Sequence, residues 1–313
     1  MAVSATDSGA RNIVDGGRAA RYGLRTVALG YLGLLLVIPV ALIFYKAFED
    51  GFAVAWEAVT TPEAQHAIYL TVLMVVISIP ITTVFGIAAA LVIVRQRFRG
   101  RALLNAAIDM PFAISPVVIG LSLVLLYGSR DGWFGQDLAA AGIEVIFTPV
   151  GMALATMFVA LPFVVREVIP VLQEIGDDQE QAASTLGAGP WQTFWRITLP
   201  SIRWGVTYGV VLATARALGE FGAVAVVSGR ISGSTETMPL YLRRLFDTFN
   251  VSGAYAAAVV LALLALTVLF AMNFIQRRDR AILAGPSVAT EPGAVVPHLD
   301  VTDDKENRDE HQG

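Results

Sequence analysis

The sequence predicts an all-α integral membrane protein, with six spanning helices and a helix-turn-helix loop exposed on one side of the bilayer. Three observations carry that expectation: 55% of the 313 residues are hydrophobic against 15% charged, the apolar residues fall in six long runs, and arginines cluster at alternate ends of those runs. A chain this apolar exceeds what a single water-soluble core hides, so the bilayer is its natural solvent.

The runs cover residues 26–45, 67–94, 104–127, 145–165, 205–227 and 254–275. Each meets or passes the roughly 20 residues needed to cross hydrocarbon. The competing reading, buried helices of a large soluble protein, is disfavoured because such helices rarely run so far without a charged face. The first run follows a basic segment, as a secretory signal would. It is longer than a signal core and no small-x-small cleavage site follows it, so it reads as an uncleaved span.

Positive residues are retained on the cytoplasmic side of short flanking segments. Arg11, Arg18, Arg21 and Arg25 precede the first run, Arg95, Arg97, Arg99 and Arg101 follow the second, and Arg277, Arg278 and Arg280 close the sixth. Lys46 and Arg130 alone carry positive charge in the first two opposite loops. Both termini are therefore expected in the cytoplasm. Arg230, Arg243 and Arg244 depart from the rule in the last external loop; they read either as solvated surface charge or as an attraction for an anion or an acidic partner.

The expected organisation is an N-terminal tail over 1–25, a transmembrane domain over 26–275 with its principal loop at about 171–200, and an acidic tail over 276–313. Residues 281–313 hold seven acids against Lys305 and Arg308, a local balance of −5 in a chain of net −4. Both tails have the polar composition of disordered segments. The chain has no cysteine, which excludes disulfides, iron–sulfur clusters and thiol chemistry, and His66, His298 and His311 are too scattered for a metal site. A phosphate-binding loop would end in Gly-Lys-Ser or Gly-Lys-Thr, whereas the only lysines are Lys46 and Lys305. No catalytic residue, cofactor-binding residue or nucleic-acid-binding patch is indicated.

Pro80, Pro111, Pro116, Pro149 and Pro162 fall within the runs, where each removes a helical hydrogen bond and bends the axis. Their bends serve either packing or the shaping of a central pathway. Residues 238–249 place Leu240, Leu242, Leu245, Phe246 and Phe249 at a mostly helical period, which suits a helix lying on the bilayer or one re-entering the bundle.

The loop after the fourth run is the most informative stretch. Asp177 or Asp178 suits a helix cap, Glu180 places negative charge in the first turn, and Gly187 offers a left-handed stop. Pro190 suits the first position of a second helix, Trp191, Phe194 and Trp195 make one aromatic face, and Pro200 is expected to end that helix before the fifth run. The result is an elbow with Leu186, Gly187 and Ala188 at its tip. An ordinary connector between two spans is the plainer reading of the same residues. In the fifth run, Arg216 and Glu220 stand four residues apart on one helix side, as an ion pair that is either structural or part of a polar pathway.

The spacing Ala182-Ala183, three residues, Gly187, nine residues, Ile197-x-Leu199-Pro200 resembles the cytoplasmic "EAA" loop of ABC-importer membrane subunits, with Gln181 where that motif has Glu. Beyond the loop, the strings PFAISPVVIG (111–120), QAASTLGA (181–188), FWRITLPSIRW (194–204) and ARALGEFGAV (215–224) resemble the W-type membrane subunits of sulfate/thiosulfate ABC importers, from about the second run to the sixth. The resemblance implies a type I importer transmembrane domain in a bacterial inner membrane. It implies that Gln181, Ala182, Ala183, Leu186, Gly187, Ala188, Ile197, Leu199 and Pro200 form the coupling surface for a separate ATPase, present in two copies and holding the ATP. It further implies a second permease of similar fold, an extracytoplasmic sulfate-binding protein, and a pathway at Arg216, Glu220, Ser115 and Pro116. Molybdate or tungstate is the alternative cargo. An ion-driven secondary transporter and a non-transporting scaffold are the alternatives of other classes.

Overall fold

The computed structural model describes the backbone of residues 8–283 and, within them, the side chains of 22–271 and 274. Contacts group Met1–Met272 into one compact unit, described below, and Asn273–Gly313 into another. All regular structure among the described residues is helical. Most of the acidic tail lies outside the described residues.

Helix α1 (Ser8–Phe48) starts well before residue 26, so the described part of the expected N-terminal tail is helical. An apolar run that nucleates a helix extends it cheaply into flanking residues. The most apolar stretch of this helix buries nothing inside the chain, and between Tyr22 and Phe48 only Ala47 is buried. A short α2 (Phe52–Thr60) leads to α3 (Pro62–Arg95), which starts with Pro62 and a Thr61 hydroxyl accepting from Ala64 N at 3.2 Å. One stripe of α3, including Ala67, Thr71, Met74, Ser78, Thr82 and Ala90, is buried. These residues recur every three or four positions and are mostly small, the pattern of closely packed membrane helices.

The expected third span, 104–127, is two helices, α4 (Arg101–Ala113) and α5 (Pro116–Tyr127), bent by 116°. Pro116 is the cause: its ring drives the preceding residue out of the helical region, and Ile114 and Ser115 are extended with ψ of 138° and 136°. After the short α6 (Gly135–Ala140) comes α7 (Pro149–Ile175), the most buried of the long helices. It packs chiefly on α3 and on α10, defined below.

The loop supplies α8 (Asp178–Thr185) and α9 (Pro190–Thr193), then a π-helical turn (Phe194–Thr198) that runs directly into α10 (Leu199–Leu218). Pro200 therefore opens a helix instead of ending one. Leu199 N donates to Phe194 O, five residues back, and the widened turn carries the chain past a residue with no N–H to give. The fifth span, expected over 205–227, breaks after Leu218 and resumes as α11 (Gly222–Val227). A Cβ on Gly209 would lie 2.9 Å from Val164 Cα, so glycine sets the closeness of α10 to α7.

Helix α12 (Met238–Asp247) is neither free on the bilayer nor exposed: Met238, Tyr241 and Leu245 are buried in a cluster with Ala64, Ala67, Ala254 and Ala257. The last helix, α13 (Val251–Leu283), is apolar through Ala271. Among the described residues four helices are long and apolar enough to cross a membrane, and the bent α4–α5 pair makes a fifth candidate. With two arginines and several hydroxyls, α10 falls below that standard, although it sits inside the bundle against α7 and α3.

Candidate functional site

Two places concentrate polar chemistry: the elbow between α7 and α10, and the break between α10 and α11.

At the elbow, Gly176 leaves α7 with φ 69° and Asp177 caps α8 without a side-chain bond. Helix α8 ends in a paired turn: Gly187 N donates to Ser184 O at 3.0 Å, Ala188 N donates to Ala183 O at 3.0 Å, and Gly187 takes φ 84°. This is the left-handed termination that glycine permits without steric cost. Leu186 is 88% exposed at the tip. Pro190 then opens α9, and Trp191, Phe194 and Trp195 cluster with ring centroids 5.4–6.2 Å apart.

Of the residues expected to couple, Gln181, Ala182, Leu186, Gly187 and Pro200 are exposed, while Ala188, Ile197 and Leu199 are half-buried. Ala183 is buried within the chain, so it faces inward and offers no docking surface. Leu199 and Phe194 pack against the α3–α7–α10 core.

The acidic residue one position before Gln181 has a partner inside the chain. Arg95, the last residue of α3, donates Nε to Glu180 Oε2 at 3.0 Å and Nη2 to Glu180 Oε1 at 3.3 Å. The same guanidinium donates to Gly176 O at 2.6 Å and Leu172 O at 3.3 Å, satisfying carbonyls that the end of α7 leaves free. Thr198 Oγ1 completes the cluster by donating to Glu180 Oε1 at 2.7 Å. In the sequence Arg95 is only a positive flanking charge and Glu180 only a favourable first-turn charge. No spacing rule joins two residues 85 positions apart.

At the second place, Arg216 occupies the last turn of α10, not mid-span, where its charge favours the helix carboxyl end. Its Nη1 is 2.7 Å from Glu220 Oε2, at an orientation that makes an electrostatic contact without a hydrogen bond. Glu220 is buried, and its Oε1 accepts from Ala223 N at 2.9 Å, serving the free N–H groups that begin α11. Pro116 is brought beside this break: a Cβ on Gly222 would lie 2.9 Å from Pro116 Cβ. Ser115 precedes Pro116 at the α4–α5 bend, so both interrupted helices have their breaks in one neighbourhood.

A further pair has no counterpart among the sequence expectations. Arg166 on α7 donates to Asp109 on α4 at 2.7 and 2.5 Å and to Asn105 at 3.3 Å. Opposite charges at the ends of two apolar runs were the available signal. Arg230, Arg243 and Arg244, in the last loop of the sequence expectation, each have a partner within the chain. Arg230 donates to Ala225 O, Arg243 pairs with Asp247 at 3.0 Å, and Arg244 forms a two-pronged pair with Glu236 at 2.8 and 3.0 Å. The carboxylate of Glu236 holds the Arg244 guanidinium above its ordinary pKa.

Comparison with known proteins places the fold. A sulfate transport system permease protein CysW of Synechocystis sp. is 52% identical over 258 residues, covering 82% of this chain and 93% of the relative. In Escherichia coli (strain K12), the protein of that name is 44% identical, covering 80% and 87%. The sulfate transport system permease protein CysT of the same strain is 38% identical, covering 81% and 92%. A crystal structure of a bacterial ABC transporter involved in the import of the acidic polysaccharide alginate matches with a TM-score of 0.71 at 20% identity, covering 86% of this chain and 99% of that one. At that identity it shows the fold alone. The family model described as "binding-protein-dependent transport system inner membrane component" matches residues 82–280, which take in the elbow and both helix breaks, and the chain belongs to that family.

Proposed function

We propose that this chain is the W-type permease subunit of an ATP-driven importer that carries sulfate, and thiosulfate with it, into the cytoplasm. The observation that carries the reading is its identity, 52% and 44%, to two sulfate permeases over at least four-fifths of its length. The lower identity to the T-type protein, found in the same strain as one of the W-type relatives, supports a distinct second permease as partner.

In this reading the exposed tip, Leu186 and Gly187 with Ala182 and Gln181 behind it, enters a cleft on each cycle of a separate ATPase pair. The arginine distribution supports placing the elbow and both termini in the cytoplasm. ATP binding closes the motor, the elbow moves, and the helices from α4 to α11 pass from inward-facing to outward-facing; hydrolysis resets them. An extracytoplasmic binding protein delivers the anion. Bringing a dianion in against an interior-negative potential costs about 4.6 kcal/mol per 100 mV, twice the single-charge value, and only an energised route accumulates it. Arg216 supplies positive potential near the two helix breaks, and Glu220 keeps that potential from becoming a trap.

The test is uptake of labelled sulfate and of labelled molybdate in cells lacking this chain, with complementation by the wild type and by Arg216→Ala. Loss of sulfate uptake, restored by the wild type and reduced about tenfold or more by Arg216→Ala, is expected. Molybdate uptake lost with sulfate uptake intact would overturn the cargo, and transport by the purified chain alone would overturn the need for an ATPase.

A further inference from the structure

We propose that Arg95 is a positioning residue for coupling: it braces the elbow across the joint at Gly176, so that motion imposed at the tip reaches the transmembrane helices. The inference rests on the elbow being the surface at which an ATPase acts.

The chain between α7 and α8 is built as a hinge. Gly176 takes φ 69° and ψ −165°, outside any helix, and a Cβ placed there would meet nothing within 4 Å. Beyond it α8 has little to hold it down. Its sequence is DQEQAAST, and Ala183 is its one buried residue. Burial of a single methyl group contributes too little to fix the orientation of a two-turn helix. A push on the tip would therefore bend the chain at Gly176.

Arg95 spans that joint. On one side its guanidinium holds Leu172 O in the last turn of α7 and Gly176 O at the joint itself; on the other it holds both oxygens of Glu180 in α8. Thr198 reaches the same carboxylate from the far arm of the elbow. One side chain at the end of α3 thus ties α7, α8 and the π turn into a single body. The pair is largely withdrawn from solvent, the Arg95 and Glu180 side chains being 20% and 23% exposed. The planar fork is needed for the task, as a lysine ammonium is a point charge and cannot serve carbonyls and carboxylate in the same geometry.

The bracing explains why the acidic residue at position 180 is not available in place of Gln181. Glu180 is directed inward to Arg95, and Gln181 is left on the outer surface.

The chain has no cysteine, so a spin-label pair is introduced cleanly with Ser184→Cys on α8 and Phe85→Cys on the exposed side of α3. Distance distributions are recorded on the full-length chain, with and without Arg95→Ala. In parallel, sulfate transported per ATP hydrolysed is measured for the unlabelled variant in the reconstituted transporter. The expected result is a narrow distribution that broadens in Arg95→Ala, with transport per ATP falling about tenfold while hydrolysis continues. Arg95→Lys is expected to behave like Arg95→Ala. An unchanged distribution, or a broadened one with unchanged transport per ATP, overturns the brace. Should Arg95→Ala fail to accumulate, the same two measurements are made on Glu180→Gln, where broadening with lost coupling supports the brace and either unchanged result overturns it. Because the distance measurement needs no ATPase, failure of the brace is distinguishable from failure of the docking reading, which shows as normal transport by Gly187→Trp while the distribution still broadens in Arg95→Ala.

Discussion

Replacing Gly187 separates the two things a tip glycine does. Its φ of 84° is a conformation that costs an ordinary L-residue about 1–2 kcal/mol, and asparagine less. Its surroundings are empty: a Cβ there meets nothing within 4 Å, and the neighbouring Leu186 is 88% exposed. In both Gly187→Asn and Gly187→Trp the first side-chain atom meets open space, and the backbone conformation separates their folding costs by about 1–2 kcal/mol. They differ greatly in the volume offered to a partner. If the tip seats in an ATPase cleft, Gly187→Asn keeps initial sulfate uptake within about fivefold of wild type, the factor that ~1 kcal/mol represents. Gly187→Trp lowers it far more, beyond what its folding cost explains, and leaves ATP hydrolysis poorly coupled or the ATPase unbound. Uptake and hydrolysis are measured on the reconstituted transporter, with thermal unfolding of the purified complex as the control for folding. Normal transport by Gly187→Trp would refute the docking role. A matching loss in Gly187→Asn would show that backbone conformation alone is at issue.

Gln181→Glu restores the motif's charge at an exposed position; exposed charges contribute about 0–1 kcal/mol, so co-purification with the ATPase and sulfate uptake are expected to stay near wild type. Arg244→Ala strands the Glu236 carboxylate, which is 2% exposed; removing one partner of a buried pair costs about 3–5 kcal/mol, and the low end applies because Arg244 is 38% exposed. A thermal midpoint unaltered by Arg244→Ala contradicts that account. Gly209→Val places a Cβ 2.9 Å from Val164 Cα, against backbone that has nowhere to go, so a loss of at least the ~1–3 kcal/mol typical of overpacking is expected, read as reduced folded yield in detergent.

The broad architecture is legible because its causes are local. Long apolar runs, arginines at alternate ends and the turn chemistry of Gly187 and Pro190 act through nearby residues, and α3, α7, α13 and the elbow stand where those signals put them. The bend before Pro116 is readable in the same way, since the restriction on Ser115 is a property of the dipeptide; only the hydrophobic run around it masks it. What Pro200 does is not readable. Proline ends a helix or begins one, and a π turn that shifts the register decides between them after the chain has packed. The pairs Arg95–Glu180, Arg166–Asp109 and Arg244–Glu236 likewise depend on which helix ends meet, a matter of tertiary arrangement that no window of sequence contains. Arg216–Glu220 is visible in the sequence because its partners are four residues apart; its depth is not, because an unbroken apolar run hides the helix break that puts Arg216 in a last turn.

From Pro190 to Leu218 the chain is helical without interruption, through α9, the π turn and α10. At ~1.5 Å per residue, the 20-residue α10 alone is about 30 Å long, with Arg216 in its last turn. The rod is pressed along its length to α7, with Gly209 against Val164, and a rod so held transmits displacement better than it bends. Its two ends are unlike. Near the elbow, Glu180 receives Thr198 and both prongs of an arginine that also caps two carbonyls. Beyond the far end, Glu220 keeps one backbone bond and one electrostatic contact with an arginine that is 31% exposed. Each arginine–glutamate pair spans a glycine-containing break, Gly176 in the first case and Gly219 in the second. If an ATPase acts at the elbow, force entering at the heavily bonded joint would meet its first compliant point at the lightly bonded one. That point adjoins the Pro116 break, so in the proposed reading the neighbourhood where both helices are interrupted is where the rod's motion would be converted into a local change of shape.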